Sequence, residues 1–357
     1  MSATLVEIVK ASNLKLKPED DKLGFGRYFT DHMLVMDYSI ETGWTGPRIT
    51  PYEPIALDPA AVIFHYGQTA FEGMKAYRTE DNRILLFRPE KNFSRLNASS
   101  ERLSMPPINE EEVLEYVKQL ISVEKDWVPT SKGTSLYIRP FIIATESFLG
   151  LAASKQYKLV VILSPVGSYY TNGIQPVNIK VEEHYTRAVR GGTGMAKTAG
   201  NYCATFNAQT KAINEGFSQV LWLDAIEKKY VEEVGTSNVF FKINGEVHTP
   251  ELSGSILPGI TRMSVIEMLR SWGVPVSERR ISIEEIYQSY EEGLLEEVFS
   301  TGTAAVISPI GELEWQGRKI VINNKSIGSV SERLYDTLTG IQTGKIADTF
   351  NWTTEVN

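Results

Sequence analysis

Apolar positions along the chain fall into two kinds of pattern. MLVMDYSI (Met33–Ile40) and RILLFRP (Arg83–Pro89) are short apolar runs bounded by polar or turn residues, and each predicts a strand. Leu136–Phe141 alternates, which puts Tyr137 and Arg139 on one side. YKLVVILS (Tyr157–Ser164) predicts a buried strand, as do Gln219–Leu223 and Val239–Ile243, with Gly235-Thr236-Ser237-Asn238 after Tyr230–Val234. Helical spacing is elsewhere. One helix opens near Pro89, with Arg95 on its inner face beside Leu96. Another takes Asn109 as N-cap, acids in its first turn, and Val113, Tyr116, Val117, Leu120 and Ile121 on one face. Cys203–Ala212 has no Gly or Pro and reads as helix. Leu257-Pro258-Gly259 opens a helix running to about Trp272, with Gly273 after its end. A last amphipathic helix carries Leu334, Leu338 and Ile341. Together these predict an α/β or mixed α+β fold in two parts. The Pro-, Gly- and Ser-containing stretch after Ser164 sets the expected division: a smaller N-terminal domain over 1–167, a linker over 168–180, and a larger C-terminal domain over 181–357.

Composition narrows the function classes. At 357 residues the chain can build two cores, and 42% hydrophobic with 22% charged residues is ordinary for a globular protein. A net charge of −8 without a long basic block argues against a nucleic-acid surface. No apolar run approaches the ~20 residues of a membrane helix, and the N-terminal segment lacks the pattern of a secretory signal. Cys203 is the single cysteine, which excludes an intrachain disulfide and fits a reducing compartment; it reads as a small buried residue. His32, His65, His184 and His248 are scattered without metal-ligand spacing, so no metal is expected. A cytoplasmic enzyme or binding protein is the expectation.

The chemistry concentrates in Gly191-Gly192-Thr193-Gly194-Met195-Ala196-Lys197-Thr198-Ala199-Gly200-Asn201-Tyr202. Its glycines permit backbone angles closed to other residues, which gives Lys197 a flexible approach just before a helix, with a phenol about a turn away. A surface turn with a solvated lysine is the plainer reading of this stretch alone. Pyridoxal 5′-phosphate asks more of a protein: an amine, an acid beside the pyridine nitrogen, a phenol at the ring hydroxyl, and donors for a phosphate dianion. Lys197, Glu233 and Tyr202 are candidates for the first three. Arg95, Thr236, the helix start at Ile260 and Thr261, and Thr303 are candidates for the phosphate. Spacing alone leaves plain turns open at several of these positions.

Longer motifs add to this. FTDHML (Phe29–Leu34), HYGQTAFEGMKAY (His65–Tyr77), LYIRP (Leu136–Pro140), LSPVGSYY (Leu163–Tyr170), GGTGMAKTAGNY (Gly191–Tyr202), QVLWL (Gln219–Leu223), EEVGTSN (Glu232–Asn238), LPGITR (Leu257–Arg262) and EVFSTGTAAVISP (Glu297–Pro309) follow one another along nearly the whole chain. In these the sequence closely resembles the branched-chain amino-acid aminotransferases, class IV pyridoxal-phosphate enzymes with a two-domain fold like that of D-amino-acid aminotransferase. The resemblance implies that Lys197 attaches covalently to the cofactor and carries the proton of the reaction. It implies that Glu233 holds the pyridine nitrogen protonated and that Tyr202 bonds the ring oxygen. It implies too that Arg95, Thr236, Thr303 and the amides of Ile260 and Thr261 bind phosphate. Gln219 matches a position near the lysine.

The implied reaction is reversible, ping-pong transamination of L-leucine, L-isoleucine and L-valine with 2-oxoglutarate. One pocket then accepts an aliphatic chain and a distal carboxylate in turn. Phe25, Phe71, Tyr169 and Leu149 or Leu151 suit the first; Tyr66, Tyr137 and Arg139 suit the second. In the family Leu149 and Leu151 belong to a loop reaching into the neighbouring subunit, which implies a homodimer, and the Thr303-Ala304 turn receives the α-carboxylate. The chain departs from the mammalian forms, whose Cys-x-x-Cys switch is replaced here by Ala305 and Ser308. A D-amino-acid aminotransferase or an aminodeoxychorismate lyase on the same scaffold is the nearest alternative, and a non-catalytic cofactor-binding protein is a more distant one.

Overall fold

The computed structural model describes residues 6–169 and 173–356. The chain gathers into two compact units. The first holds the chain up to Tyr169, the short stretch Ala196–Ala199 and the chain from Gly340 onward; the second holds what lies between. The division at Tyr169 falls inside the expected 168–180 linker, of which Tyr170, Thr171 and Asn172 lie outside the described residues. The expected partition gave Lys197 and the last residues to the later domain, whereas contacts group both with the first unit.

Among its described residues the first unit carries a nine-stranded sheet. Its order is Glu7–Ile8, Gly43–Pro51, His32–Ser39, Gln156–Val166, Ser135–Ala144, Met74–Arg78, Ile84–Phe87 and Thr353–Glu355, with Thr69–Phe71 paired to Ser135–Ala144. The pairs are antiparallel except at the Glu7–Ile8 edge. Alternation along Ser135–Ala144 decides what each face does. Leu136, Ile138 and Ile142 are buried in the main core, with Phe93 and Leu96 of the helix Pro89–Arg102 and Val117 and Leu120 of the helix Glu110–Val123. Each such side chain removed from water contributes about 1.5–3 kcal/mol. Tyr137 and Arg139 take the opposite face, as the alternation predicts. The second helix starts where its cap residue dictates: the Asn109 side chain accepts the Glu112 amide at 3.2 Å, and the buried positions are the five expected.

The second unit also carries a nine-stranded sheet among its described residues, and this one is mixed. It runs Val231–Val234, Gln219–Leu223, Val177–Glu182, Val306–Trp315, Leu295–Gly302, Ser237–Ile243, Glu246–Thr249 and Val276–Glu278, with Arg318–Val321 on Val306–Trp315. A further pairing between Val231–Val234 and Ser237–Ile243 joins strands from both parts of this run into a closed ring. Closure follows from a two-residue turn, Gly235-Thr236, whose first residue has φ +56°. The helix Ile260–Ser271 ends as expected, with Trp272 as its cap and Gly273 at φ +69°. In the helix Ser329–Gln342, Leu334, Leu338 and Ile341 are buried.

Two expectations need correction. The run after Tyr202 is two helices, Ala199–Cys203 and Phe206–Asn214, because the Thr205 hydroxyl donates to the Tyr202 carbonyl at 2.7 Å and breaks the ladder there. Cys203 is exposed rather than buried.

Candidate active site

In the first unit, Lys197 is pinned at its backbone. Its amide donates to Ser99 Oγ at 2.8 Å, its carbonyl accepts the Phe71 amide at 3.0 Å, and the Thr198 hydroxyl donates to the Thr69 carbonyl at 2.8 Å. The glycines before it therefore do not leave it on a loose approach; the side chain alone carries the freedom the chemistry needs. The amine lies 4.9 Å from the centre of the Phe71 ring. Desolvation first, and the nearby Arg95 charge second, lower its pKa to about 8, while Glu72 and Tyr137 act in the opposite sense and Arg139 adds to the lowering.

Glu72 is the residue the sequence reading did not single out. It sits wholly buried beside Gly73 between the strands Thr69–Phe71 and Met74–Arg78. Arg95 Nε and Nη2 donate to its two carboxylate oxygens at 2.7 and 2.9 Å, and Asn92 Nδ2 adds a bond at 2.8 Å. Burial alone would raise this carboxyl, but the Arg95 charge and hydrogen bonds outweigh it and hold the pKa below the usual range. An acid between apolar strands and followed by a glycine is the available signal; its partner lies two strands further along the chain, on the helix Pro89–Arg102.

Arg139 extends from the same place. Its Nε donates to the Glu72 carbonyl at 2.9 Å and its Nη2 to Tyr137 Oη at 3.0 Å, while its guanidinium lies 4.9 Å from the Phe71 ring centre. Phe25 meets the Tyr137 ring edge-on at 5.1 Å. Tyr137 can lie there only because position 73 is glycine: a Cβ would stand 1.9 Å from its hydroxyl. Phe25, Tyr137, Arg139, Phe71, Lys197 and Arg95 thus lie close to one another within the first unit. Tyr66 donates to the Leu149 carbonyl, while Leu151 and Tyr169 stand on the surface.

In the second unit, Glu233 is buried on the strand Val231–Val234. Its Oε1 accepts the Leu257 amide at 2.9 Å, and its Oε2 lies 3.1 Å from Arg187 Nε, a charge contact whose N–H is not well aligned. Arg187, also missed in the sequence, donates to the Ser255 carbonyl and to that of Gly194 at 3.4 Å. Gly194 is fixed by the same crowding, since a Cβ there would come within 2.2 Å of the Ser255 backbone. Thr236 is exposed and follows the buried Gly235, and Gln219 packs where a side chain at 235 would go. Ile260 and Thr261 open a twelve-residue helix whose start at Gly259 has no side-chain cap. Such an end presents amide donors to an anion. Thr303 and Ala304 lie in the turn after Leu295–Gly302, which closes on Val306 at φ +63°, a costly angle for a β-branched residue. Tyr202 lies in the short helix Ala199–Cys203.

Within the first unit the amine of lowered pKa suits an aldehyde, and within the second the buried carboxylate and the uncapped helix start suit a pyridine nitrogen and a phosphate. Residues 69–313 match the profile of the amino-transferase class IV family. Over 356 residues, covering 100% of this chain and 98% of the relative, the sequence is 61% identical to branched-chain-amino-acid aminotransferase 2 of Bacillus subtilis. The chain belongs to the branched-chain aminotransferases of class IV. Among solved structures, that of the Escherichia coli branched-chain aminotransferase superposes with a TM-score of 0.77 at 26% identity, over 92% of this chain and 99% of that one. The branched-chain aminotransferase of the archaeon Thermoproteus uzoniensis, solved with norvaline, gives a TM-score of 0.76 at 26% identity, over 91% and 100%. Another branched-chain aminotransferase, complexed with N-(5′-phosphopyridoxyl)-L-glutamate, gives a TM-score of 0.74 at 26% identity, over 94% and 99%. The class IV aminotransferase shares its two-domain, mixed-sheet fold with these neighbours.

Proposed function

We infer that this class IV aminotransferase catalyses reversible transamination of L-leucine, L-isoleucine and L-valine with 2-oxoglutarate, by a ping-pong route with pyridoxal 5′-phosphate. The observation that carries this is Lys197, an amine lowered to about 8 and set against Phe71, Arg95 and Arg139, in a chain that matches a branched-chain aminotransferase end to end. Bound pyridoxal phosphate supplies an aldehyde and an electron-accepting ring. The protein's residues do the rest. Lys197 Nζ, whose lowered pKa enlarges its neutral fraction, would carry the proton from the substrate α-carbon to the cofactor carbon that bears the nitrogen, and the reverse in the opposite direction. Glu233 presents a buried negative charge for the ring nitrogen, and Tyr202 a phenol for the ring oxygen. Thr236, Thr303, Arg95 and the Ile260 and Thr261 amides hold phosphate. Arg139 and Tyr137, with Tyr66, receive the distal carboxylate of glutamate, and Phe25, Phe71 and Tyr169 form apolar walls. The Ala304 turn takes the α-carboxylate.

Exposed Leu149 and Leu151 support a homodimer in which that loop completes the neighbouring site. Among the described residues no helix is long and apolar enough to cross a membrane. The single cysteine supports a cytoplasmic location. The deciding experiment is a visible spectrum of the loaded protein before and after L-leucine without a keto acid. Loss of the band, restored by 2-oxoglutarate, is expected. A band that answers only to D-alanine would leave the cofactor and overturn the substrate assignment.

A further inference from the structure

The Glu72 carboxylate is fully committed to protein donors. Oε1 takes Arg95 Nε at 2.7 Å; Oε2 takes Arg95 Nη2 at 2.9 Å, Asn92 Nδ2 at 2.8 Å and the Gly73 amide at 3.1 Å. A carboxylate so saturated is a poor proton carrier, but it is well placed to orient a guanidinium, because two parallel bonds fix the fork in a plane. The groups that act electrostatically on the Lys197 amine come from three elements. They are Arg95 on the helix Pro89–Arg102, Glu72 at the turn before Met74–Arg78, and Tyr137 with Arg139 on Ser135–Ala144. Two arginines near one buried amine would drive it strongly toward the uncharged form. Glu72 is the carboxylate that opposes them.

We propose that Glu72 is a positioning residue: it holds the Arg95 guanidinium in one orientation and offsets its charge at Lys197, so setting the balance between amine and ammonium there. The proposal rests on the reading of Lys197 as the cofactor-bearing amine. It assigns Glu72 no contact with substrate or cofactor. Its side chain acts only through Arg95 and through its field. Asn92, which touches the same oxygen without a charge, serves as the contrast.

The test uses the full-length protein with its cofactor, comparing wild type, Glu72→Gln, Arg95→Gln, the double variant and Asn92→Ala. The first readout is the pH midpoint of the visible cofactor band. The second is the pH dependence of Lys197 labelling by acetic anhydride after the cofactor is removed. Glu72→Gln should move both midpoints acid-ward by about one unit, the lower end of what a nearby opposite charge does. Arg95→Gln should move them base-ward, and the double variant should fall between. Asn92→Ala should leave both midpoints in place. Opposite shifts in the two single variants support the proposal; a Glu72→Gln midpoint equal to wild type overturns it and leaves the Lys197 reading standing. If Glu72→Gln does not fold, the double variant, which removes both charges, carries the test against Arg95→Gln alone: equal midpoints in those two overturn the proposal. A wild type with no visible band, and no covalent cofactor at Lys197, would overturn both readings together.

Discussion

In the first unit a buried carboxylate meets its arginine along both prongs, Glu72 on Arg95 at 2.7 and 2.9 Å. In the second, Glu233 meets Arg187 off-axis at 3.1 Å and leans instead on the Leu257 amide at 2.9 Å. Both acids lie out of reach of bulk water, and both would be costly to leave unpaired. The difference is in what each arrangement fixes. The forked pair fixes the direction of the arginine, whereas the backbone-propped acid fixes the position of its own negative charge. One serves orientation, and the other presents a charge.

Substitutions can break that contrast. The largest effect belongs to the amine the first pair surrounds: Lys197→Ala should remove covalent cofactor attachment and lower single-turnover rates by about 10⁴-fold or more, beyond the usual span for one proton-transferring group. Glu233→Gln should lower kcat by about 10²–10³-fold, the scale of losing one preorganised charge. It should also cost roughly 3–5 kcal/mol in unfolding experiments, because Arg187 stays buried without its partner. Were Glu233→Gln to shift only a pH midpoint, and Glu72→Gln only turnover, the two assigned roles would be exchanged. Arg139→Gln should raise KM for 2-oxoglutarate by about 10–100-fold, the value of a charge-assisted bond, with a far smaller change for L-leucine.

A milder test uses pH. With the Lys197 pKa lowered to about 8, its neutral fraction grows as pH rises toward that value and levels above it. Cofactor loading onto the full chain, followed by absorbance, should therefore rise about tenfold per pH unit below pH 8 and flatten beyond it, as expected when the neutral amine is the nucleophile. The smallest effect is expected away from both pairs. Asn109→Ala removes a cap at 3.2 Å and should cost about 1 kcal/mol, or roughly 2–4 °C of Tm by calorimetry.

Local rules carried much of the reading. The helix Glu110–Val123, with its cap and all its buried positions, follows from spacing alone. So does the shared face of Tyr137 and Arg139, whose side chains hydrogen bond at 3.0 Å. The two acid–arginine pairs were not legible, because Glu72 and Arg95, and Arg187 and Glu233, are joined only by tertiary packing. Neither member carries a mark of its partner in the sequence. The break before Phe206 was hidden for another reason: one threonine hydroxyl outcompetes an otherwise good helical run. Lys197 itself was found, but its pinned backbone was not, since glycine content reports what a chain can do rather than what its neighbours allow.

The strand Thr353–Glu355 has a consequence for how the molecule is made. It covers the edge of Ile84–Phe87, where the Val356 amide donates to the Ile84 carbonyl at 2.9 Å and Trp352 packs edge-on against Phe87 at 5.6 Å. On the ribosome, residues 84–87 emerge roughly 265 positions before the segment that shields them, an interval set by the strand pairing Thr353 to Phe87. At ~5–20 residues per second that leaves an unpaired sheet edge open to solvent, and to neighbouring nascent chains, for about ten seconds or more. The first unit's sheet is thus completed by residues made long after the rest of its strands, and synthesis has to pass position 355 before that edge is closed.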